Sequence, residues 1–313
     1  MKGTVYKSTG SWYTVKTDTG IFVSCRIKGK FRTDQISSTN PVAVGDRVTI
    51  MVAENPHEGV IQAIHDRKNY IVRKSVNLSK QIHILAANID IAFLLITLNN
   101  PVTYTAFIDR FLATAKAFGI EVVLLFNKED TYSKHEMDEF RQLKAVYENI
   151  GYRCIEISAL NGTNVDQVKS LMASKTCMLS GHSGVGKSTL INRLAPQLNI
   201  KTKAISDQHQ QGQHTTTHAE LHELDFGAKI IDTPGIRGFG MITFSQQELG
   251  DYFVEFFARK SQCKFNDCLH IDEPKCAVKL AVEFGDIASS RYKSYSQILH
   301  GDDQHYRTDF CEL

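Results

Sequence analysis

TCMLSGHSGVGKSTLINRL, residues 176–194, joins a short apolar run to a glycine-rich turn and then to a helical pattern that opens on Lys187 and Ser188. Strand, glycine turn and helix in that order are the context a phosphate-cradling loop requires. Glycines at 181, 184 and 186 let backbone N–H groups close around phosphate oxygens, with His182, Ser183 and Val185 between them. Lys187 is placed to neutralise the terminal phosphates, which makes it a candidate catalytic cation. The Ser188 hydroxyl is placed to ligate Mg²⁺, with Thr189 next along the helix. His182 stands at a variable position of such loops and reads as a bystander. A loop of this kind serves ATP and GTP alike, so the base must be read elsewhere.

Two further segments supply what the loop lacks. KIIDTPG, residues 229–235, is a strand ending in Asp232 with Gly235 three residues on. A carboxylate at a strand end can hold the Mg²⁺ shell, and a glycine N–H can meet the γ-phosphate. FNKED, residues 126–130, follows the apolar strand EVVLLF and brings Asn127, Lys128, Glu129 and Asp130 to the base. A carboxylate in the Asp130 position accepts two hydrogen bonds from the N1 and N2 hydrogens of guanine, and adenine has no such donor pair. The expected ligand is therefore GTP. Ser158 and Ala159, in EISAL after the next strand, are expected to add a backbone contact to the guanine oxygen.

The base-reading segments at 127 and 158 precede the phosphate loop at 181, the reverse of the usual order, and a circularly permuted G domain accounts for this. Around it, IDIAFLLIT and EVVLLFN are nearly continuous apolar strands, each followed by an amphipathic helical stretch, near Tyr104 to Phe118 and Ser133 to Ile150. Such strands belong to a parallel sheet covered on both faces. Before it, short β-rich runs from Gly3 to about His65, separated by Gly, Asn, Pro and Asp, predict a small barrel, OB-like or SH3-like. After it come Cys263, Cys268, His270 and Cys276, three thiols and an imidazole suited to a closed tetrahedral Zn²⁺ site, although residue types alone also admit buried thiols.

Bulk properties set the limits. At about 150 residues per domain, a chain of 313 residues is expected to hold more than one unit. Hydrophobic residues at 42% and charged residues at 22% fit ordinary globular usage, which argues against general disorder and against a membrane protein. The longest apolar run, Ile91 to Ile96, is far short of the roughly 20 residues of a spanning helix. MKGTVYKSTG has no apolar core of a signal peptide, so the working expectation is a cytoplasmic protein. A reducing compartment favours metal over disulfides for the cysteine cluster, and Cys25, Cys154, Cys177 and Cys311 read as inert thiols. A net charge of +2 announces no nucleic-acid binder, so that inference must rest on local clusters. RIKGKFR, residues 26–32, offers Arg26, Lys28, Lys30 and Arg32 with Phe31 available to stack, and Arg67, Lys68, Arg73, Lys74, Arg291 and Lys293 extend the basic surface.

The permuted order, GQHTTT at residues 212–217, CKFNDCLHIDEPKCAV and a basic tail with SRYKSY together resemble the RsgA, or YjeQ, family of ribosome-assembly GTPases over nearly the whole chain. The resemblance implies a multidomain α/β protein. Its parts are an OB-like β-barrel over 1–65, a basic connector over 66–88, a circularly permuted P-loop GTPase domain with a mostly parallel sheet over 89–240, and a helical zinc-binding domain over 241–313. It implies one structural Zn²⁺ and Mg²⁺ with GTP. It also implies a partner in the small ribosomal subunit and its rRNA, with no membrane attachment and a monomeric chain. Ile236 stands where many GTPases carry the water-orienting glutamine. The resemblance points instead to His214 as the residue that positions water, with Thr215 or Thr216 completing the Mg²⁺ shell; a solvated loop histidine is the plainer reading of His214. The missing glutamine also leaves a second function class open, a GTP-dependent ribosome-binding scaffold with negligible hydrolysis.

Overall fold

Alternating residues in the first sixty positions build a closed barrel. In the computed structural model, which describes residues 1–27, 41–74, 82–198, 219–232 and 244–301, β1 (Lys2–Ser8), β2 (Tyr13–Thr17), β3 (Phe22–Ile27), β4 (Arg47–Val52) and β5 (Glu58–Ile64) pair in the order β1-β2-β3-β5-β4. β4 then returns to pair with β1. Neighbours are antiparallel except β3 and β5, which run parallel. This five-stranded closure is the OB arrangement, and it decides between the two barrels the strand count allowed. Val5, Val15, Val23, Cys25, Ile50 and Ile61 fill the interior.

The stretch expected as a basic connector carries a hairpin. β6 (Tyr70–Lys74) and β7 (Ile82–Ala87) form a two-stranded antiparallel sheet, and Ile71 and Ala86 sink into the core of the following domain. A β-bridge joins Val44 to Ala86, and the barrel loop passes so close that a Cβ on Gly45 would lie 2.1 Å from the Ala87 carbonyl oxygen. Only glycine, here at φ +90°, fits that crossing. Arg67 is no surface cation. Its guanidinium forks onto Asp46 with two 2.7 Å bonds and is only 12% exposed.

The second sheet is ordered β10-β9-β8-β11-β13-β12, from β8 (Ile91–Ile96), β9 (Glu121–Asn127), β10 (Arg153–Ile157), β11 (Thr176–Ser180), β12 (Glu220–Glu223) and β13 (Lys229–Asp232). All its pairs are parallel except β12 with β13. The unbroken apolar run of β8 is explained by burial on both faces. Ala92, Leu94 and Ile96 pack toward α1 (Thr105–Ala117) and α2 (Lys134–Asn149), while Ile91, Phe93 and Leu95 pack toward α3 (Val165–Met172) and α4 (Lys187–Leu194). Ser133 and Glu136 close a capping box at the start of α2. At the far edge β12 also pairs with β1, Lys7 opposite Glu220, so the barrel prolongs the sheet.

Among the described residues four α-helices follow: α5 (Gln246–Leu249), α6 (Val254–Lys260), α7 (Ala277–Glu283) and α8 (Ser289–His300). Their core of Leu249, Phe253, Phe256, Val278 and Tyr295 includes Ala113 of α1, so this unit docks on the second sheet's helical layer. Arg291, expected in a basic surface patch, is buried at this junction. Its Nη1 donates to Asp109 at 2.7 Å, and its Nε and Nη2 donate to Glu255 at 2.7 and 3.0 Å. Asp109 also accepts the Tyr147 hydroxyl at 2.9 Å. Among the described residues, no helix is long and apolar enough to cross a membrane.

Candidate nucleotide site and metal centre

β11 delivers the chain to the loop at Gly181, and α4 begins at Lys187 after Gly186 at φ +103°. Lys187 Nζ arches back over the loop, donating to the carbonyl oxygens of Gly181 at 2.5 Å and His182 at 2.6 Å. An ammonium in that place, beside the amides that open α4, presents concentrated positive potential where an anion would sit. The His182 ring is turned aside and stacks on Phe107 of α1, centroids 4.1 Å apart.

Asn127 ends β9, almost fully buried, and joins the three expected nucleotide segments. Its Nδ2 donates to the Val185 carbonyl at 2.7 Å, and its Oδ1 accepts the Ala159 N–H at 2.9 Å. The Ala159 amide expected to face a guanine oxygen is thus already engaged by Asn127. Ser158 is fully buried, and its hydroxyl accepts the Asn161 N–H at 2.9 Å, which shapes the turn. Lys128 takes the left-handed conformation at φ 69° and donates to the Asn100 carbonyl. Burial lowers its pKa and the nearby Asp130 pulls the other way, with burial prevailing. Glu129 and Asp130 lie in a short 3₁₀ turn that follows the C-terminal end of β9, the end of the parallel sheet from which the glycine-rich loop leaves β11, and Asp130 is exposed.

Sequence reasoning missed the wall opposite these residues. Leu98 to Pro101, after β8, touches both loops: Lys128 binds the Asn100 carbonyl, and Pro101 Cδ lies 3.5 Å from where a Gly184 Cβ would stand. No motif marks this stretch, because its contacts mix backbone groups of Leu98 and Asn100 with side-chain atoms of Asn99 and Pro101. Ser188 and Thr189 occupy the first turn of α4, and Asp232 ends β13 beside β11. His214, Thr215, Thr216, Gly235 and Ile236 lie outside the described residues, as do Lys28, Lys30, Phe31 and Arg32 of the expected basic stretch.

Cys263, Cys268, His270 and Cys276 converge, their ligand atoms all within 4.8 Å of one another. His270 Nδ1 is 3.3 Å from Cys276 Sγ and 3.7 Å from Cys263 Sγ, and those two sulfurs are 4.0 Å apart. A tetrahedron with Zn–S bonds of about 2.3 Å has edges of roughly that length, so the donor set fits Zn²⁺. The surrounding bonds hold the ligands in place. Glu273 accepts the Leu269 and Ile271 N–H groups at 2.6 and 2.9 Å, and Tyr295 and Tyr292 donate to the Leu269 and His270 carbonyls at 2.7 Å each. Cys276 caps α7, its sulfur accepting the Lys279 N–H. Cys25, Cys154 and Cys177 behave as the inert thiols expected, with burial pushing their pKa values up to about 11, 12 and 12.

Comparison with known proteins agrees along the whole chain. The family described as RsgA GTPase matches residues 64–242, and the RsgA N-terminal domain matches residues 2–61. A protein of Christiangramia forsetii named small ribosomal subunit biogenesis GTPase RsgA is 62% identical over 311 residues, covering 99% of both chains. Its namesake in Flavobacterium psychrophilum is 60% identical, covering 99% of this chain and 95% of its own. YjeQ from Thermotoga maritima superimposes with a TM-score of 0.78 at 34% identity, covering 96% of this chain and 97% of its own. YloQ, a circularly permuted GTPase, gives 0.74 at 28%, covering 100% and 96%. A sheet in which β9, leading into the NKED segment, precedes β11, leading into the glycine-rich loop, is the order expected of a permuted domain, and the chain belongs to the RsgA family of circularly permuted GTPases.

Proposed function

We propose that this GTP hydrolase acts in late assembly of the small ribosomal subunit, that the subunit stimulates its turnover, and that barrel and zinc unit both contact rRNA. The observation that carries the reading is Asn127, which ties the guanine-reading segment to the phosphate loop through Val185 in a chain whose relatives bear that role in their names. Asp130 selects guanine, Lys187 neutralises the β- and γ-phosphates, and the amides of the 181–186 loop cradle them. Ser188, Asp232 and either Thr215 or Thr216 hold Mg²⁺, which screens phosphate charge. His214 orients the attacking water in place of the glutamine absent at Ile236.

On the barrel, Trp12 is 40% exposed with the Arg26 guanidinium stacked 4.0 Å from its ring centroid, and Phe22 is 48% exposed with Lys16 over its ring. Aromatic faces paired with cations suit unstacked bases and phosphates. This supports an RNA face built on Trp12, Phe22 and Arg26; Lys16 is committed to Glu223, and Arg67 and Arg291 are excluded by their own ion pairs. The test is GTP turnover with and without purified small subunits. Strong stimulation, lost in His214→Ala, is expected; unchanged turnover would end the proposal.

A further inference from the structure

We propose that Tyr132 is a positioning residue for guanine recognition, its hydroxyl bracing the base-reading turn against the Leu98–Pro101 wall. The hydroxyl accepts the Leu98 N–H at 3.0 Å and donates to the Asn127 carbonyl at 2.9 Å, so one oxygen links the ends of β8 and β9. Between Asn127 and Tyr132 lie the base-reading residues. Lys128 reaches the same wall at the Asn100 carbonyl, and the Thr131 N–H and hydroxyl both bind the Lys128 carbonyl, at 2.9 and 2.8 Å. A second tie runs beside the first: Asn99 Nδ2 donates to Glu136 at 2.5 Å, and Glu136 is held by the Ser133 N–H at 2.7 Å.

The turn carrying Asp130 is therefore fixed at both ends, by Asn127 and by Tyr132. Asp130 must place two carboxylate oxygens on two donors of one base edge, and small displacements cost such a bidentate pair its second bond. Burial raises the Tyr132 pKa, which keeps the hydroxyl a donor at neutral pH. Its ring packs against Phe140, centroids 5.5 Å apart, so Tyr132→Phe removes the oxygen and retains the packing.

The inference rests on the assignment of guanine to Asp130, and the experiment separates the two. In the full chain, affinities for GDP, GTP, ITP and XTP are measured for wild type, Tyr132→Phe and Asp130→Asn. ITP lacks the 2-amino group, so the GTP-to-ITP ratio reports the second Asp130 bond. Tyr132→Phe is expected to weaken GTP binding about tenfold and to lower that ratio several-fold, as unpairing two part-buried backbone groups at the turn would. The loss should fall more heavily on affinity than on turnover at saturating GTP, because the hydroxyl bonds to Leu98 and Asn127 and to no phosphate-loop residue. Faster hydrogen exchange at the Leu98 amide should report the broken tie directly. A lower thermal midpoint with an unchanged ratio would overturn the proposal, leaving Tyr132 a packing residue. Asp130→Asn should trade GTP for XTP; if it does not, the guanine assignment falls and the positioning role falls with it.

Discussion

Asn127 Nδ2 sits 2.7 Å from the Val185 carbonyl oxygen, and a Cβ on neighbouring Gly186 would stand 2.3 Å from that same nitrogen. The residue that opens the turn proposed to read the base thus also fixes the last bend of the glycine-rich loop, and the bend leaves no room for any side chain. Permutation separates these residues by 58 positions, yet the parallel neighbours β8, β9 and β11 bring them together.

Asn127→Ala should therefore damage phosphate binding as well as base binding. It strands the Val185 carbonyl and the Ala159 N–H, both buried, for a loss of about 2 kcal/mol or more in stability. Affinity should fall for GDP and for inorganic pyrophosphate together, read by calorimetry. Loss confined to GDP would show that Asn127 serves the base alone.

Gly186→Ala meets two obstacles, the 2.3 Å contact with Asn127 and a φ of +103°. GTP binding is expected to be abolished, while the unaffected barrel and zinc unit keep the far-ultraviolet spectrum near wild type. Retained binding would show that the loop rearranges freely.

Much of this was legible in the sequence, and the failures share a cause. Strands buried on both faces, such as IAFLLI, read as a parallel sheet because a six-residue apolar run bounded by Asp90 and Thr97 is short for a buried helix and suits a strand covered on both sides. The strand–turn–helix over residues 176–194 and the convergence of Cys263, Cys268, His270 and Cys276 were legible because their chemistry fixes residue type and spacing. Arg67 and Arg291 were misread as surface cations because their partners, Asp46 and the pair Asp109 and Glu255, lie 21 to 182 positions away. Sequence shows charge but not its neutralisation across a fold. Leu98 to Pro101 stayed hidden because its contacts are scattered over backbone groups and single side-chain atoms that form no recurring pattern, and the hairpin in residues 66–88 because its basic residues masked a short apolar pattern.

The Arg291 triad makes an asymmetric prediction. Arg291→Met leaves two buried carboxylates without a cation and should destabilise the chain by about 3–5 kcal/mol. Replacing Asp109 and Glu255 by leucine in the same chain should recover most of that loss, since the attraction and the desolvation cost vanish together. Chemical denaturation of the single and triple variants provides the comparison. A triple variant no more stable than Arg291→Met would show that the charges do more than neutralise one another.

Metal content tests the Cys₃His set. Elemental analysis of the purified chain should give about one zinc per molecule, and Cys276→Ser should lose it. Because Cys268 and Cys276 belong to the core that also contains Phe253 and Tyr295, zinc removal by chelation should unfold the last helices first. The exposed Trp12 lies on the barrel, so its fluorescence should change later than the helical signal during chelation. Simultaneous loss would mean that the zinc unit supports the whole chain.

The junction of barrel and sheet is sensitive to acid in a definite direction. Glu223, at the end of β12, is bound by Lys16 and Tyr6 of the barrel. Burial disfavours its carboxylate, but those bonds outweigh burial and hold its pKa below the ordinary 4.5. A depressed folded pKa means that the unfolded chain takes up the proton first. The stabilisation is complete above about pH 4.5 and disappears as pH falls through the folded value. Glu223→Gln should therefore melt below wild type at pH 7, and the gap should close on acidification below about 4.5. Thermal melts from pH 7 to 3.5 measure it. A gap that persists at the acid end would mean that shape, not charge, joins the barrel to β12. Since β12 pairs with β13 on one side and β1 on the other, a charge-dependent joint there would let the barrel feel movement at the strand that leads to Asp232.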